Sequence, residues 1–173
     1  DYLKKIMEQT NSDNYARVAS FGGKLLRALH SDDIGLPDEF ESEILDSTGI
    51  SISRNRNMRD RGAGSVDSGE FNELEEVFGI SGALALFRSV ALEEIKLGGE
   101  YLDEALFMYK DDVDMAWRLH NLGWRALYVP EARAYHYRSA SPPAFKNLRE
   151  YIKSRKNRSS LANFYSYRNH FMV

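Results

Sequence analysis

Apolar positions recur along the chain with two different periods, and these periods define the elements. Tyr2, Leu3, Ile6 and Met7 share one helical face and predict a helix over Asp1 to Thr10, followed by a loop at 11–14. Ala16 to Phe21 reads as a short strand closed by Gly22-Gly23, with Leu25, Leu26 and Leu29 continuing an extended segment or a turn. Ser31 to Phe40 carries Gly, Pro and acids and reads as loop. Ile50 to Ser53 alternates as a strand does. Val77 to Phe87 (VFGISGALALF) reads as a buried strand interrupted by Gly79 and Gly82. Ser89 to Lys96 is a short amphipathic helix ended by Gly98-Gly99, and Asp111 to Leu122 a helix stopped by Gly123. Trp124 to Val129 predicts a strand ended by Pro130, and Ala132 to Tyr137 another. After Ser141-Pro-Pro come helical patterns with a basic face. Strands alternating with helices indicate an α/β sheet.

Composition narrows this picture. A chain of 173 residues that is 43% hydrophobic and 28% charged can bury the core of one globular domain. The absence of cysteine excludes disulfides and thiolate metal sites. No apolar run approaches the roughly 18 residues of a membrane span. The N-terminus is charged and helical in pattern, starts without an initiating Met, and reads as the start of a fragment. The net charge of −3 conceals an asymmetry: from Lys146 to Arg168 there are seven Lys or Arg and one acid, Glu150. Such a tail suits an anionic partner. The long segment Arg54 to Gly69 reads as a functional or mobile loop, but its RGAG lacks the Lys-Ser/Thr ending of a phosphate-binding P-loop.

Asp111, Asp112 and Asp114 stand where the aromatic run FMY turns into a helix. Acids at a helix start are favoured by its free N–H groups and dipole. Asp114 is also four residues before Arg118, the spacing of a helical ion pair. Asp112 fits capping less well. It shares a stripe with Met115, Ala116, Leu119 and Leu122, so it should face protein rather than water. A carboxylate at the open end of a buried stripe suits a pocket. Gly82-Ala83, inside an apolar run, marks either a bulge or close approach of a ligand or backbone. His136, where a strand pattern gives way to a loop, is either a structural histidine or a ligand.

These residues carry a resemblance. EEVFGISGALALFR followed by GGEYLDEALFMYKDDVDMAWRLHNLGWRALYVPEARAYH is similar to the C-terminal half of inverting family 2 glycosyltransferases of the rhamnosyltransferase-like branch. It covers roughly Ala16 to Ser139, and the late RNH extends it. Its specificity lies in order and separation: Ser81-Gly82-Ala83, the acidic triplet, then LGW followed by YVP. The resemblance implies a GT-A fold, a mixed, mostly parallel sheet flanked by helices, over 1–140, with 141–173 as a basic, aromatic, helical extension. It implies a nucleotide-sugar donor and a glycan or glycolipid acceptor. A divalent metal, Mg or Mn, would be held by an Asp-X-Asp motif expected just before the first helix, so this chain is expected to carry the acceptor side without the donor side. The family's Glu-Asp-X-Asp falls on Asp111, Asp112, Val113 and Asp114, with Asp111 where Glu is common. That carry-over makes Asp112 the catalytic base. Asp111, Asp114, Trp117 and Arg118 would position acceptor or helix, Gly82 and Ala83 would leave room for sugar, and His136 would be a metal ligand.

Two other classes compete with an enzyme domain. A chain with only the acceptor side could bind glycan without catalysis. The basic tail, interleaved with Phe145, Tyr151, Phe164, Tyr165 and Tyr167, could bind nucleic acid, but a sequence isoelectric point near 5.9 argues against that. The resemblance implies work at the cytoplasmic face of a membrane, with 145–170 as the peripheral contact; a solvated basic helix or an arm in a homodimer is the competing use of the same residues.

Overall fold

A computed structural model describes residues 1–29, 40–137 and 159–173. Most of the expected loop at Ser31 to Phe40, and the basic stretch with Leu148, Tyr151 and Ile152 on one face, lie outside the described residues. The first helix, α1 (Tyr2–Thr10), is capped by the Asp1 side chain, which accepts from the Lys4 N–H. It buries Ile6 against Val18, Phe21, Leu127, Val129 and Ala132. Among the described residues five strands form the main sheet: β1 (Val18–Leu29), β2 (Phe40–Ser47), β5 (Glu75–Val77), β6 (Ala85–Phe87) and β7 (Arg125–His136). A separate hairpin joins β3 (Ile50–Ile52) to β4 (Met58–Asp60). The helices α2 (Ser89–Ile95) and α3 (Asp111–Asn121) enclose Ala91, Ile95, Met115 and Leu119 with Ala19 and Trp124. The last helix is α4 (Ser160–Met172), with Ser159 as its cap.

The α/β class expected of the sequence is the one found, but the sheet is less parallel than expected. Its central pair, β1 with β7, is parallel, while β2 and β6 pair with β1, and β5 with β7, in antiparallel fashion. Several element boundaries also differ, the first three because of contacts made across the fold. Gly22-Gly23 does not close the first strand; β1 runs through it. A Cβ at Gly22 would lie 2.2 Å from Ile80 Cγ2, and one at Gly23 1.8 Å from the Ala132 carbonyl oxygen. These glycines therefore admit close neighbours to the strand rather than turning it. Nor does Pro130 divide two strands. β7 is continuous, and the register jumps from Gly23↔Val129 to Lys24↔Arg133, so Pro130 sits in a bulge where no ladder N–H is needed. The Gly23 N–H is donated instead to the Tyr2 hydroxyl at 2.8 Å.

The run Val77 to Phe87 is likewise not one strand. Its ends join different partners, β5 on β7 and β6 on β1, and 78–84 crosses between them. Gly79 is pressed on α3, where a Cβ would come 2.7 Å from Ala116 Cβ, and its carbonyl accepts the Ile50 N–H at 2.7 Å. The supposed loop after Arg54 contains β4. In α3 the buried stripe is Met115, Ala116 and Leu119, as the pattern predicts, but Leu122 has left it and is 45% exposed. The chain is already leaving the helix there, and Gly123 follows with φ +75°.

Candidate active site

The crossing segment 78–84 and the start of α3 meet at Asp112. Its carboxylate accepts two backbone hydrogen bonds, from the Gly82 N–H at 3.1 Å and the Val113 N–H at 2.9 Å. Burial, the largest influence, pushes this carboxyl above the usual carboxylate range. The neighbouring charges of Asp111 and Asp60 push the same way, and the two N–H groups pull against them. The cap position of α3 is Lys110, and Asp112 lies inside the first turn of the helix. Each oxygen keeps a lone pair beyond the hydrogen bond it accepts, so the group can still take a proton from a third partner. Gly82 and Ala83 are exposed beside it. A Cβ on Gly82 would meet Asp112 Cβ at 3.5 Å and Asp111 Oδ2 at 3.9 Å, ordinary contacts, so the glycine is not required by clash.

The turn leading into α3 is conformationally unusual. Phe107, Tyr109 and Lys110 all have positive φ, at 61°, 65° and 73°. Phe107, with ψ −54°, is the centre of a three-residue turn closed by the Met108 N–H on the Leu106 carbonyl at 2.7 Å, the strained γ form. Such conformations cost on the order of 1–3 kcal/mol each and persist only where surroundings impose them. Here Lys110 Nζ reaches the Met58 carbonyl at 3.4 Å, tying the turn to the β3–β4 hairpin. On its other side lies α4. Asn169 is fully buried, and its amide donates to the carbonyls of Leu106, Met108 and Tyr109 at 2.8, 2.9 and 2.9 Å. Arg168 donates to Ala105 and Leu106 carbonyls.

The remaining sequence-derived residues are engaged in different ways. Asp114 turns to Arg118, whose guanidinium lies 2.7 Å from its carboxylate and also donates to the Ile95 and Tyr101 carbonyls at 2.8 and 2.7 Å. That set ties α3 to the end of α2. Trp117 packs edge-on to Phe78 with ring centroids 5.0 Å apart, in the cluster of Ile50, Met58 and Val113. His136 Nδ1 lies 2.8 Å from Asp46 Oδ2, in a row of the sheet that also holds Arg27. Among the described residues no three His, Cys, Asp or Glu side chains come together as a metal cluster. Three features escaped the sequence pattern: Asp60 as a neighbour of Asp112, Lys110 in its left-handed turn, and Asn169. Only the late RNH pointed toward the last.

Two comparisons with known proteins give matches. The family described as Glycosyltransferase like family 2 matches residues 71–159, which include the crossing segment and all of α3. Two curated relatives, from the CDC 1551 / Oshkosh and ATCC 25618 / H37Rv strains of Mycobacterium tuberculosis, are each an N-acetylglucosaminyl-diphospho-decaprenol L-rhamnosyltransferase. Each is 40% identical over 62 residues, 36% of this chain and 19% of the relative, so the chain spans about a fifth of the relatives' length. No solved structure matches.

Proposed function

The chain belongs to glycosyltransferase-like family 2, and from that premise we propose that its full-length protein transfers a sugar from a nucleoside-diphosphate-sugar to a glycan or lipid-linked acceptor, with Asp112 as the general base. The observation that carries this reading is the Asp112 carboxylate: raised in proton affinity by burial, oriented by the Gly82 and Val113 N–H groups, and set beside the open Gly82-Ala83 edge. The acceptor hydroxyl gives its proton to Asp112 as its oxygen attacks the anomeric carbon. A C–O bond forms, the bond to the nucleoside diphosphate breaks on the opposite face, and configuration inverts. The Asp111 carboxylate beside the base favours the protonated state of Asp112 after transfer. Asp114 and Arg118 hold α3 against α2 while this happens. In the full-length enzyme a divalent metal would offset charge on the leaving diphosphate.

The relatives' activity makes nucleoside-diphosphate-rhamnose the first donor to test and a polyprenyl-diphospho-N-acetylglucosamine the first acceptor. The full-length protein is expected to form a product whose new linkage has the anomeric configuration opposite to the donor's, read by NMR. Retention would overturn the single displacement. Tight acceptor binding with no turnover of any donor would favour a non-catalytic glycan-binding domain.

Work at the cytoplasmic face of a membrane belongs to the same proposal. No described helix is long and apolar enough to cross a bilayer. The basic run from Lys146 to Arg158 would supply the attraction, at about 1 kcal/mol per cation near an anionic leaflet. The exposed Phe164, Tyr167 and Phe171 of α4 suit its interface. Co-sedimentation is expected with anionic but not neutral vesicles, weakening with salt and with Lys153, Arg155 and Lys156 changed to Gln. Indifference to lipid charge would leave the run to another use, such as a homodimer arm.

A further inference from the structure

Asn169 makes more hydrogen bonds to the approach of α3 than any cap does, and none of them stabilises its own helix. Its two amide N–H groups are spread over three carbonyls, those of Leu106, Met108 and Tyr109. Its oxygen accepts from Arg168 Nε at 2.8 Å, so every polar atom of the side chain is used. Three converging carbonyls require a donor with no competing negative charge, which fixes the amide's orientation and favours Asn over Asp. Arg168 extends the same grip to Ala105, and its guanidinium lies 4.7 Å from the Tyr165 ring centre. The carbonyls so gathered belong to the turn in which Phe107, Tyr109 and Lys110 hold positive φ. Lys110 is the residue from which α3 starts, and its carbonyl accepts the Asp114 N–H at 2.9 Å. Two residues after it stands Asp112.

We propose that Asn169, supported by Arg168, is a positioning residue for the reaction: it holds the left-handed turn 106–110 and thereby sets the Asp112 carboxylate against the Gly82 N–H. The proposal rests on Asp112 being the base. The buried amide acts at one remove, because it touches the turn and not the reacting atoms. Without it the turn relaxes toward ordinary negative φ, the first turn of α3 re-aims, and the 3.1 Å contact to Gly82 is lost. A misplacement of about 1 Å at a catalytic group costs about 10²-fold in rate. That is the scale expected for kcat here.

The test uses the full-length protein with Asn169→Ala, Asn169→Asp and, as a milder change, Arg168→Gln, alongside Asp112→Asn. Amide hydrogen exchange is expected to rise in 105–113 in all three anchor variants and to stay unchanged in α1 and β7. Turnover is expected to fall about 10²-fold in the Asn169 variants and less in Arg168→Gln. The KM for donor should be unchanged, a split that general destabilisation would not produce. Unchanged exchange in 105–113 would overturn the anchor whatever the reaction. Raised exchange with wild-type kcat would overturn positioning. If both Asn169 variants and Arg168→Gln lack a folded population at assay temperature, the residues serve the fold alone and the proposal fails. Transfer surviving in Asp112→Asn would instead defeat the base assignment, and the exchange result would still decide whether Asn169 holds the turn.

Discussion

Changing Asp112 to Asn in the full-length protein is expected to lower turnover about 10²–10⁴-fold, the range over which a positioned general base contributes. The amide keeps the shape of the side chain and can still accept one of the two N–H groups at 2.9 and 3.1 Å. What it loses is the ability to take a proton. Asp114→Asn provides the comparison: its carboxylate is engaged by Arg118, so its loss weakens the tie between α3 and α2 and costs far less turnover. Equal losses in two folded variants would mean the base is another group or is shared. The pH profile supplies an independent check. A base must be ionised to act, and the Asp112 carboxyl is pushed above the usual carboxylate range, first by burial. The acid limb of turnover should therefore lie above the ordinary value near 4, and Asp114→Asn should leave it in place. Stability follows the opposite sign. Below the unfolded pKa both states are protonated and nothing is lost. As pH rises through the higher folded value, ionisation disfavours the fold. The charge at Asp112 therefore works against stability at neutral pH.

Lys24→Met is expected to destabilise the fold by about 3–5 kcal/mol, the cost of breaking a buried ion pair from one side. Lys24 is fully buried in β1, and its ammonium lies 2.7 Å from both Asp67 Oδ2 and Asn72 Oδ1. The Asp67 side chain is only 13% exposed, so the substitution leaves a carboxylate with little water. The double change Lys24→Met with Asp67→Asn removes that stranded charge and should recover most of the loss, as read by urea unfolding. An additive double variant would show that the pair does not couple. The pair also has a pH signature. Burial pushes the Asp67 carboxyl up, but the hydrogen bonds from Lys24 and the Gly69 N–H, with the charges of Lys24 and Arg133, outweigh it and hold the group below its ordinary value. Its contribution is therefore full above the unfolded pKa near 3.9 and is lost as pH falls through the lower folded value. Lys24→Met should blunt that acid loss.

The sequence by itself determined whatever depends on neighbours along the chain. The helical period marked α1, α2 and α3 to within a residue or so. It put Asp112 on the stripe of Met115, Ala116 and Leu119, which the fold buries. The order of Ser81-Gly82-Ala83, the acidic triplet and LGW carried the family likeness. Tertiary structure alone decided what depends on partners far away. Gly22-Gly23 and Pro130 are breakers in any local reading, yet β1 and β7 run through them because Ile80, Ala132 and Tyr2 occupy the space and hydrogen bonds involved. The run Val77 to Phe87 is apolar throughout, and period alone could not show that its ends serve β7 and β1 separately. The Gly82 hydrogen bond to Asp112 crosses 30 residues, and the Asn169 hydrogen bonds cross 60 to 63. Periodicity reports which face of an element is apolar. It does not report which backbone group a buried amide or carboxylate will meet, because that pairing is set by how the elements pack.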